Sequence, residues 1–304
     1  MQATQTYTIE KYDNERDWGL ARLTLCGSSN AAAIVGVDRT RGLYATWAEK
    51  TSPLQVREQD ELCYWGHALE KPIFQRFLEE LDGGAFADYA QDPGEYSLFR
   101  STLKSWHGCT PDRLLVTTEG VIPVELKTAH YDQARVWAKE VPWSYIVQVH
   151  WQMHVLDAQQ AYIAVLCNGR DFQYHPIRRN EEIIQRLVKR VDKFWREHVL
   201  TRVAPPVDAN QSTREWLASI YSQPKREVAE LIDDEFADIG ERYDKLSRLS
   251  SKIDKAKTLV QNRIKERMGD CELAILGDGS GFSWAGNKSR RFTRKRKVYL
   301  DDEN

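Results

Sequence analysis

The chain has 304 residues, 41% of them hydrophobic, ten tryptophans and a formal net charge of −2. That is enough for one sizeable globular domain plus an appendage. With no leader-like N-terminus and no apolar run of membrane-spanning length, a soluble intracellular protein is expected. The cysteines at positions 26, 63, 109, 167 and 271 form no C-x-x-C pair. This argues against a zinc ribbon, a disulfide framework and a four-thiolate iron–sulfur cluster. A pI near 6.4 confines any nucleic-acid contact to one face or channel.

In chain order, residues 1–14 are polar and read as loosely ordered. Asp17 to Gly36 reads as two short helices around Cys26-Gly27-Ser28-Ser29. Asp60 to Leu81 is helical, with a kink or restart expected at Pro72. Ser97 to Val124 should hold three strands. Pro142 opens a helix through about Asp157, and the apolar run Ala161–Cys167 is a buried strand. Asn168-Gly169 is a turn, Phe172–Ile177 the next strand, and Asn180 caps a helix to about Leu200. The fold class is α/β, a mixed central sheet with flanking helices.

The segment from Pro111 to Thr128 carries the chemistry. Leu114-Leu115-Val116 and Val121-Ile122-Pro123-Val124 flank the turn pair Glu119-Gly120, which predicts a β-hairpin. Alternate side chains of a strand share a face, so Glu125 and Lys127 point one way and Leu126 into the core. With Asp112 at the start of the partner strand, two carboxylates and one ammonium converge beside the sheet. Hard oxygen ligands of this kind suit Mg²⁺ or Mn²⁺, and an adjacent lysine suits an attacking water.

Pro111-Asp112, the hairpin, Val-Glu-Leu-Lys and a following helix with Gln148 resemble the PD-(D/E)XK nuclease core. Further motifs narrow the resemblance. Trp65-Gly66-His67-Ala68-Leu69-Glu70 is similar to the W-G-x-x-x-E segment of phage-type alkaline exonucleases. Trp18, Arg22 and Ser29 resemble the W-x-x-x-R…S entry of the phage lambda exonuclease and the YqaJ-type viral recombinase nucleases. Ser144-Tyr145-Ile-Val-Gln148-Val resembles that family's Y-x-x-Q-V-Q helix, and Trp47-Ala48-Glu49-Lys50-Thr51 also suits the YqaJ type. The resemblance runs from about residue 15 to about residue 200. It implies a restriction-endonuclease-like nuclease domain over residues 1–204.

The resemblance implies site roles as well. Glu70, Asp112, Glu125 and the Leu126 carbonyl would be ligands of two Mg²⁺ ions, with Mn²⁺ as a substitute. Lys127, Gln148 and Tyr145 would serve catalysis. Arg22 and Ser29 would bind a terminal 5′-phosphate. The implied activity is 5′→3′ degradation of duplex DNA from phosphorylated ends, leaving 3′ single strands for an annealing protein. A ring-shaped trimer and a phage or prophage origin, acting in the bacterial cytoplasm, are implied too. The alternatives are a structure-specific or single-strand endonuclease on the same core, or a non-cutting scaffold for a DNA-processing partner. One position departs from the pattern: the family's glycine after the hairpin aspartate is Arg113 here, so either the turn differs or Arg113 is recruited to a phosphate.

His150 and His154 are spaced as a zinc pair, but they lack a third ligand and read as a packed helix face; Cys109 reads as core. Beyond Pro205-Pro206 the composition shifts, and residues 205–304 are expected to form a separate helical region with a basic hairpin. From Ile232 to Ile264, apolar residues alternate spacings of four and three, with Ser250 and Lys257 as defects. This seam suits either an intermolecular coiled coil or an antiparallel helical pair. Gly269 would end the helix. Leu273 to Trp284 reads as a hairpin around the Gly277–Gly281 turn. The run from Asn287 to Val298 supplies Arg290, Arg291, Arg294, Lys295 and Arg296, candidates with Arg113 for DNA contact.

Overall fold

The computed structural model describes residues 6–53, 61–223, 225–226, 228–286 and 290–296. The chain forms two compact units, Met1–Pro224 and Lys225–Asn304.

The first unit opens with strand β1 (Tyr7–Lys11) and helices α1 (Glu15–Leu23), α2 (Ser28–Ile34), α3 (Leu43–Thr51) and α4 (Glu61–Glu80). Strands β2 (Ala90–Gln91), β3 (Ser97–Ser101), β4 (Gly108–Cys109), β5 (Arg113–Thr117) and β6 (Gly120–Ala129) follow. Helices α5 (Tyr131–Trp137) and α6 (Trp143–Leu156), strands β7 (Gln160–Cys167) and β8 (Asp171–Arg178), and helices α7 (Glu181–Phe194) and α8 (Gln211–Ile220) complete it. The central sheet has the order β2-β5-β6-β7-β8. Only β6 and β7 run parallel; the other pairings are antiparallel, so the sheet is mixed as expected.

Two apolar clusters cover the faces of this sheet. On one, Ile73, Phe74, Phe77 and Leu81 of the α4 region pack on Leu115, Val124 and Leu126. On the other, α6 packs Val147, Trp151 and Val155 against Ile163 and Val165 of β7. Each large apolar side chain so enclosed contributes roughly 1.5–3 kcal/mol. The α6 face is further pinned by the Trp151 indole, which donates to the carbonyls of Cys26 at 3.1 Å and Gly108 at 3.0 Å.

Several expectations are corrected. Part of the polar N-terminus is a strand, because β1 pairs with β3 and Tyr7 packs on Phe99 with ring centroids 5.6 Å apart. Residue 60 and residues 1–5 lie outside the described residues, but from Glu61 the helix runs through Pro72 to Glu80 without restarting. The lost Pro72 N–H is tolerated where Ile73, Phe74 and Phe77 are buried on the sheet. The 97–124 region holds β3, β4, β5 and the start of β6 rather than three strands. The hairpin loop is Thr118-Glu119, one residue earlier than expected, since Thr117 pairs with Gly120. Gly120 takes φ 132, a conformation that side-chain-bearing residues rarely adopt.

The first unit continues past Pro205-Pro206, where the sequence shift suggests a boundary. Asp208 ties this stretch to α3: its carboxylate accepts the Tyr44 N–H at 3.3 Å and the Thr213 hydroxyl at 2.7 Å. Ser212 Oγ accepts the Gly42 N–H at 2.9 Å.

The second unit contains helix α9 (Asp234–Met268) and strands β9 (Leu273–Ile275), β10 (Gly281–Ala285) and β11 (Arg291–Lys295). Asp233 caps α9 by accepting the Phe236 N–H at 2.9 Å, and Gly269 ends it at φ 56. The expected C-terminal hairpin is extended to a three-stranded sheet, β11-β10-β9. The seam does not form an antiparallel pair within the chain: Tyr243, Leu246 and Ile253 are 72%, 65% and 66% exposed.

Gly108 is the tightest backbone position beside Trp151. A Cβ there would lie 2.6 Å from Leu25 Cδ2 and 2.9 Å from the Phe99 carbonyl oxygen. Gly108→Ala is therefore expected to lower stability by about 1–3 kcal/mol, read as a reduced urea midpoint with an unchanged slope.

Candidate active site

The hairpin brings Asp112 to the tripeptide at the far end of β6. The Leu126 N–H donates to Asp112 Oδ2 at 2.7 Å. This edge of β6 has a backbone donor to spare because β5 begins only at Arg113, paired with Val124. Glu125 and Lys127 share the opposite face from Leu126, as the alternation predicts, and form an ion pair. Glu125 is buried. Its other oxygen accepts from Gln152 Nε2 at 2.6 Å.

Gln152 is absent from the sequence-derived set. It stands four residues after Gln148, hence on the same face of α6, and that spacing is the signal that could have found it. Gln148 is buried and its Oε1 has no hydrogen-bond partner. Tyr145, one turn earlier, places its ring 5.5 Å from Lys127 Nζ. Gln152 and Lys127 thus meet at Glu125, with the Tyr145 ring beside Lys127, between α6 and β6.

The electrostatics follow from placing two carboxylates together away from water. The Asp112 pKa is pushed up to about 8, first by loss of hydration and then by the Glu125 charge. Burial works against the Lys127 ammonium, but Glu125 and Asp112 outweigh it and raise the Lys127 pKa. Burial also raises the Tyr145 phenol.

Glu70 reaches the same region from α4. Glu70, Asp112, Leu126 and Lys127 line a cavity of about 230 Å³ together with His67 and Thr128. The Glu70 carboxylate is engaged by Arg113, at 3.1 Å, and Arg113 also pairs with Asp92 at 3.5 Å. Arg113 sits in regular extended structure as the first residue of β5, so the glycine of the related pattern is not needed for the turn. Among the described residues, no three His, Cys, Asp or Glu side chains are disposed to hold one ion.

Arg22 ends α1 and stacks its guanidinium 4.4 Å from the Trp18 ring centroid, as their four-residue spacing allows. Burial lowers its pKa. The residues around it include two cations and an acid that the sequence did not assign. Lys50 Nζ donates to the Arg22 carbonyl at 2.8 Å and pairs with Glu49 at 3.2 Å, while Arg41 pairs with Glu49 at 3.1 Å. Burial alone would raise the Glu49 pKa, but Lys50 and Arg41 hold it below the usual carboxylate value. Three cations thus surround a single carboxylate. Ser29 lies in the first turn of α2, whose N-cap is Gly27.

The two histidines of α6 do not converge. His150 Nδ1 meets the Ile146 carbonyl at 2.7 Å, and His154 Nε2 meets His107 Nδ1 at 3.0 Å. His107 Nε2 in turn meets Asp192 at 2.9 Å, a buried polar chain linking the residue preceding β4 to α6 and α7. In the second unit, Arg290 and Arg294 donate to backbone carbonyls and stack on Trp284 at 4.1 Å and Phe282 at 4.6 Å. Arg291, Lys295 and Arg296 are exposed. Lys288 and Lys297 of the same basic run lie outside the described residues.

The fold of the first unit is a mixed five-stranded sheet covered by helices. It is similar to the solved structure of LHK-Exo in complex with dAMP, with TM-score 0.50 and 17% identity over 68% of this chain and 97% of that one. The structure of the alkaline exonuclease LHK-Exo from Laribacter hongkongensis gives TM-score 0.47 at 18% identity, over 67% and 98% of the two chains. Residues 17–159 match the model of the YqaJ-like viral recombinase domain. Along most of its length the chain is similar to the uncharacterized protein YqaJ of Bacillus subtilis (strain 168): 27% identity over 291 residues, 94% of this chain and 88% of the relative. Among the described residues, no helix is long and apolar enough to cross a membrane.

The raised Asp112 pKa has a consequence for stability. The unfolded carboxyl ionises near 4, whereas the folded one holds its proton until about 8. The folded state therefore binds the extra proton in this window, and stability falls as pH rises through it. Asp112→Asn keeps an oxygen acceptor for the Leu126 N–H and removes the charge. In chelator-treated protein it is expected to raise the thermal midpoint by roughly 2–4 °C or more at pH 8 and hardly at all at pH 4, measured by scanning fluorimetry.

Proposed function

We propose that the protein is a metal-dependent exonuclease that hydrolyses duplex DNA from 5′-phosphorylated ends and leaves 3′ single strands for an annealing protein. The observation that carries this reading is the convergence of Asp112, Glu125 and Lys127 at one end of β6, beside an open cavity. The family match and the exonuclease fold support the same reaction class.

The donor set fits a divalent cation. It is all oxygen and carries more negative charge than Lys127 offsets, and burial together with the Glu125 charge pushes the Asp112 pKa up to about 8. Asp112, Glu125 and the Leu126 carbonyl would hold Mg²⁺ or Mn²⁺, and Glu70 would join a second ion once released from Arg113. Bound there, such ions supply Lewis-acid stabilisation of the phosphate and activation of water.

The protein groups do the positioning. Lys127 orients the attacking water and offsets charge developing on the phosphate. Glu125 and the Tyr145 ring hold the Lys127 ammonium in place. Gln152 fixes the Glu125 carboxylate, and the unpartnered Gln148 Oε1 offers an acceptor for the water. Water attacks phosphorus, the P–O3′ bond breaks, and the released nucleotide leaves with a 3′-hydroxyl. The strand that remains carries a new 5′-phosphate. Arg22, with the Ser29 hydroxyl, would grip that phosphate, helped by the excess of cations at Arg41 and Lys50. A ring of three chains around the duplex would keep successive cuts on one strand.

Linear duplex labelled at each end, with 5′-phosphate or 5′-hydroxyl, is incubated with Mg²⁺ beside a covalently closed circle. Mononucleotides are expected from the 5′ side of phosphorylated ends, and the circle is expected to stay intact. Nicking of the circle would replace this reading with an endonuclease, and silence on all substrates with a scaffold. Lys127→Ala should reduce cutting by at least about 100-fold while DNA binding in a gel-shift assay persists. Arg22→Ala should bring the phosphate-to-hydroxyl rate ratio close to one.

A further inference from the structure

Helix α9 presents an apolar seam that is exposed among the described residues. Positions Phe236, Ile239, Tyr243, Leu246, Ile253 and Val260 follow alternating steps of three and four, interrupted at Ser250 and Lys257, and all six are exposed. The spacing is sustained over four heptads from Phe236 to Ile264, long enough for a stable two-stranded coiled coil. A helix whose seam stands in water keeps its length only if a partner buries that seam.

The charge along α9 identifies the partner and its direction. Residues 234–247 carry five acidic and two basic side chains, whereas residues 248–268 carry seven basic and two acidic. The helix dipole favours this sign order, but only within the first and last turns. Asp244 and Arg248 lie well inside the helix. A parallel pair of α9 helices would set acidic half beside acidic half and Lys257 against its own copy. An antiparallel pair sets each acidic half beside the basic half of its partner.

The register follows from the seam. Centred near residue 248, it places Phe236 opposite Val260, Ile239 opposite Lys257, Tyr243 opposite Ile253 and Leu246 opposite Ser250. The smallest seam residue then faces leucine, and Lys257 reaches the partner's acidic end. Flanking the seam, Glu235 comes beside Arg263 of the second copy.

We infer that α9 is a homotypic docking element, pairing antiparallel with α9 of a second copy about a two-fold axis. An isologous contact of this kind closes on itself, so it doubles whatever assembly the first unit forms. The inference does not depend on the proposed nuclease reaction.

The full chain is measured by light scattering on a sizing column, beside the double variant Leu246→Glu/Ile253→Glu. The wild-type mass is expected to be an even multiple of the 35.3 kDa chain and the variant's mass half of it, with DNA cleavage per chain retained. A wild-type monomer, an odd multiple, or equal masses for the two proteins overturns the proposal, and a monomer leaves the seam to a different protein.

Direction is read separately with Glu235→Cys/Arg263→Cys in a chain whose exposed Cys63 and Cys271 are changed to serine. Mild oxidation followed by peptide mass spectrometry should give a 235-to-263 disulfide between chains. The two positions lie about 42 Å apart along one helix, too far for a link within it. A 235-to-235 link, or none between chains, overturns the antiparallel pairing even if the double variant fails to fold.

Discussion

Two carboxylates held side by side, with one lysine to offset them, are the constraint around which the first unit is organised. Asp112 is fixed by the Leu126 N–H, and Glu125 by Lys127 and Gln152. Like charges at close range away from water raise each other's cost of ionisation. The arrangement persists because three independent elements clamp it. The β5–β6 hairpin sets the separation of Asp112 from the tripeptide, the parallel β7 strand backs residues 124–129, and α6 seats the amide side chains. A site built on strands and a packed helix varies little in geometry, which a metal-assisted displacement requires.

The third carboxylate shows how one substitution changes that balance. At the position where the resembling motif implies glycine, Arg113 places a guanidinium on Glu70 and Asp92. The expectation of a different turn or a phosphate contact is thus replaced by an ion-pair network on the side of the sheet facing α4. Arg113 also lies 6.0 Å from the Phe74 ring, so its position is fixed from two directions. Glu70 is therefore neutralised from within the chain, whereas Asp112 keeps its proton. The two acids reach the cavity by different physical routes.

Much of the site was legible because its geometry is local. Alternation along β6 separates Glu125 and Lys127 from Leu126, and the four-residue helical step joins Trp18 to Arg22 and, by the same rule, Gln148 to Gln152. What the sequence hid is long-range. The strand at Tyr7–Lys11 exists only because β3 offers it an edge, and the Asp208 contacts hold residues beyond Pro206 to α3 across more than 150 positions. Pro72 looked like a breaker because local rules count the missing N–H and not the buried face that compensates for it. The His107–Asp192 link is likewise invisible to spacing, since its partners come from the residue preceding β4 and from α7.

The cations of this near-neutral chain are placed unequally. Arg290 donates to carbonyls just beyond α9 and Arg294 to the Gly281 carbonyl of β10, and both guanidinium groups stack on aromatic rings of the small sheet. Their charge serves the fold of the second unit. Arg22, Arg41 and Lys50, by contrast, share one carboxylate, Glu49, and leave a local excess of positive charge in the first unit. Burial weakens the preference of Arg22 and Lys50 for the charged form, a cost that nearby negative charge offsets. Net charge is thus a poor guide to local charge here, since positive charge collects beside Trp18.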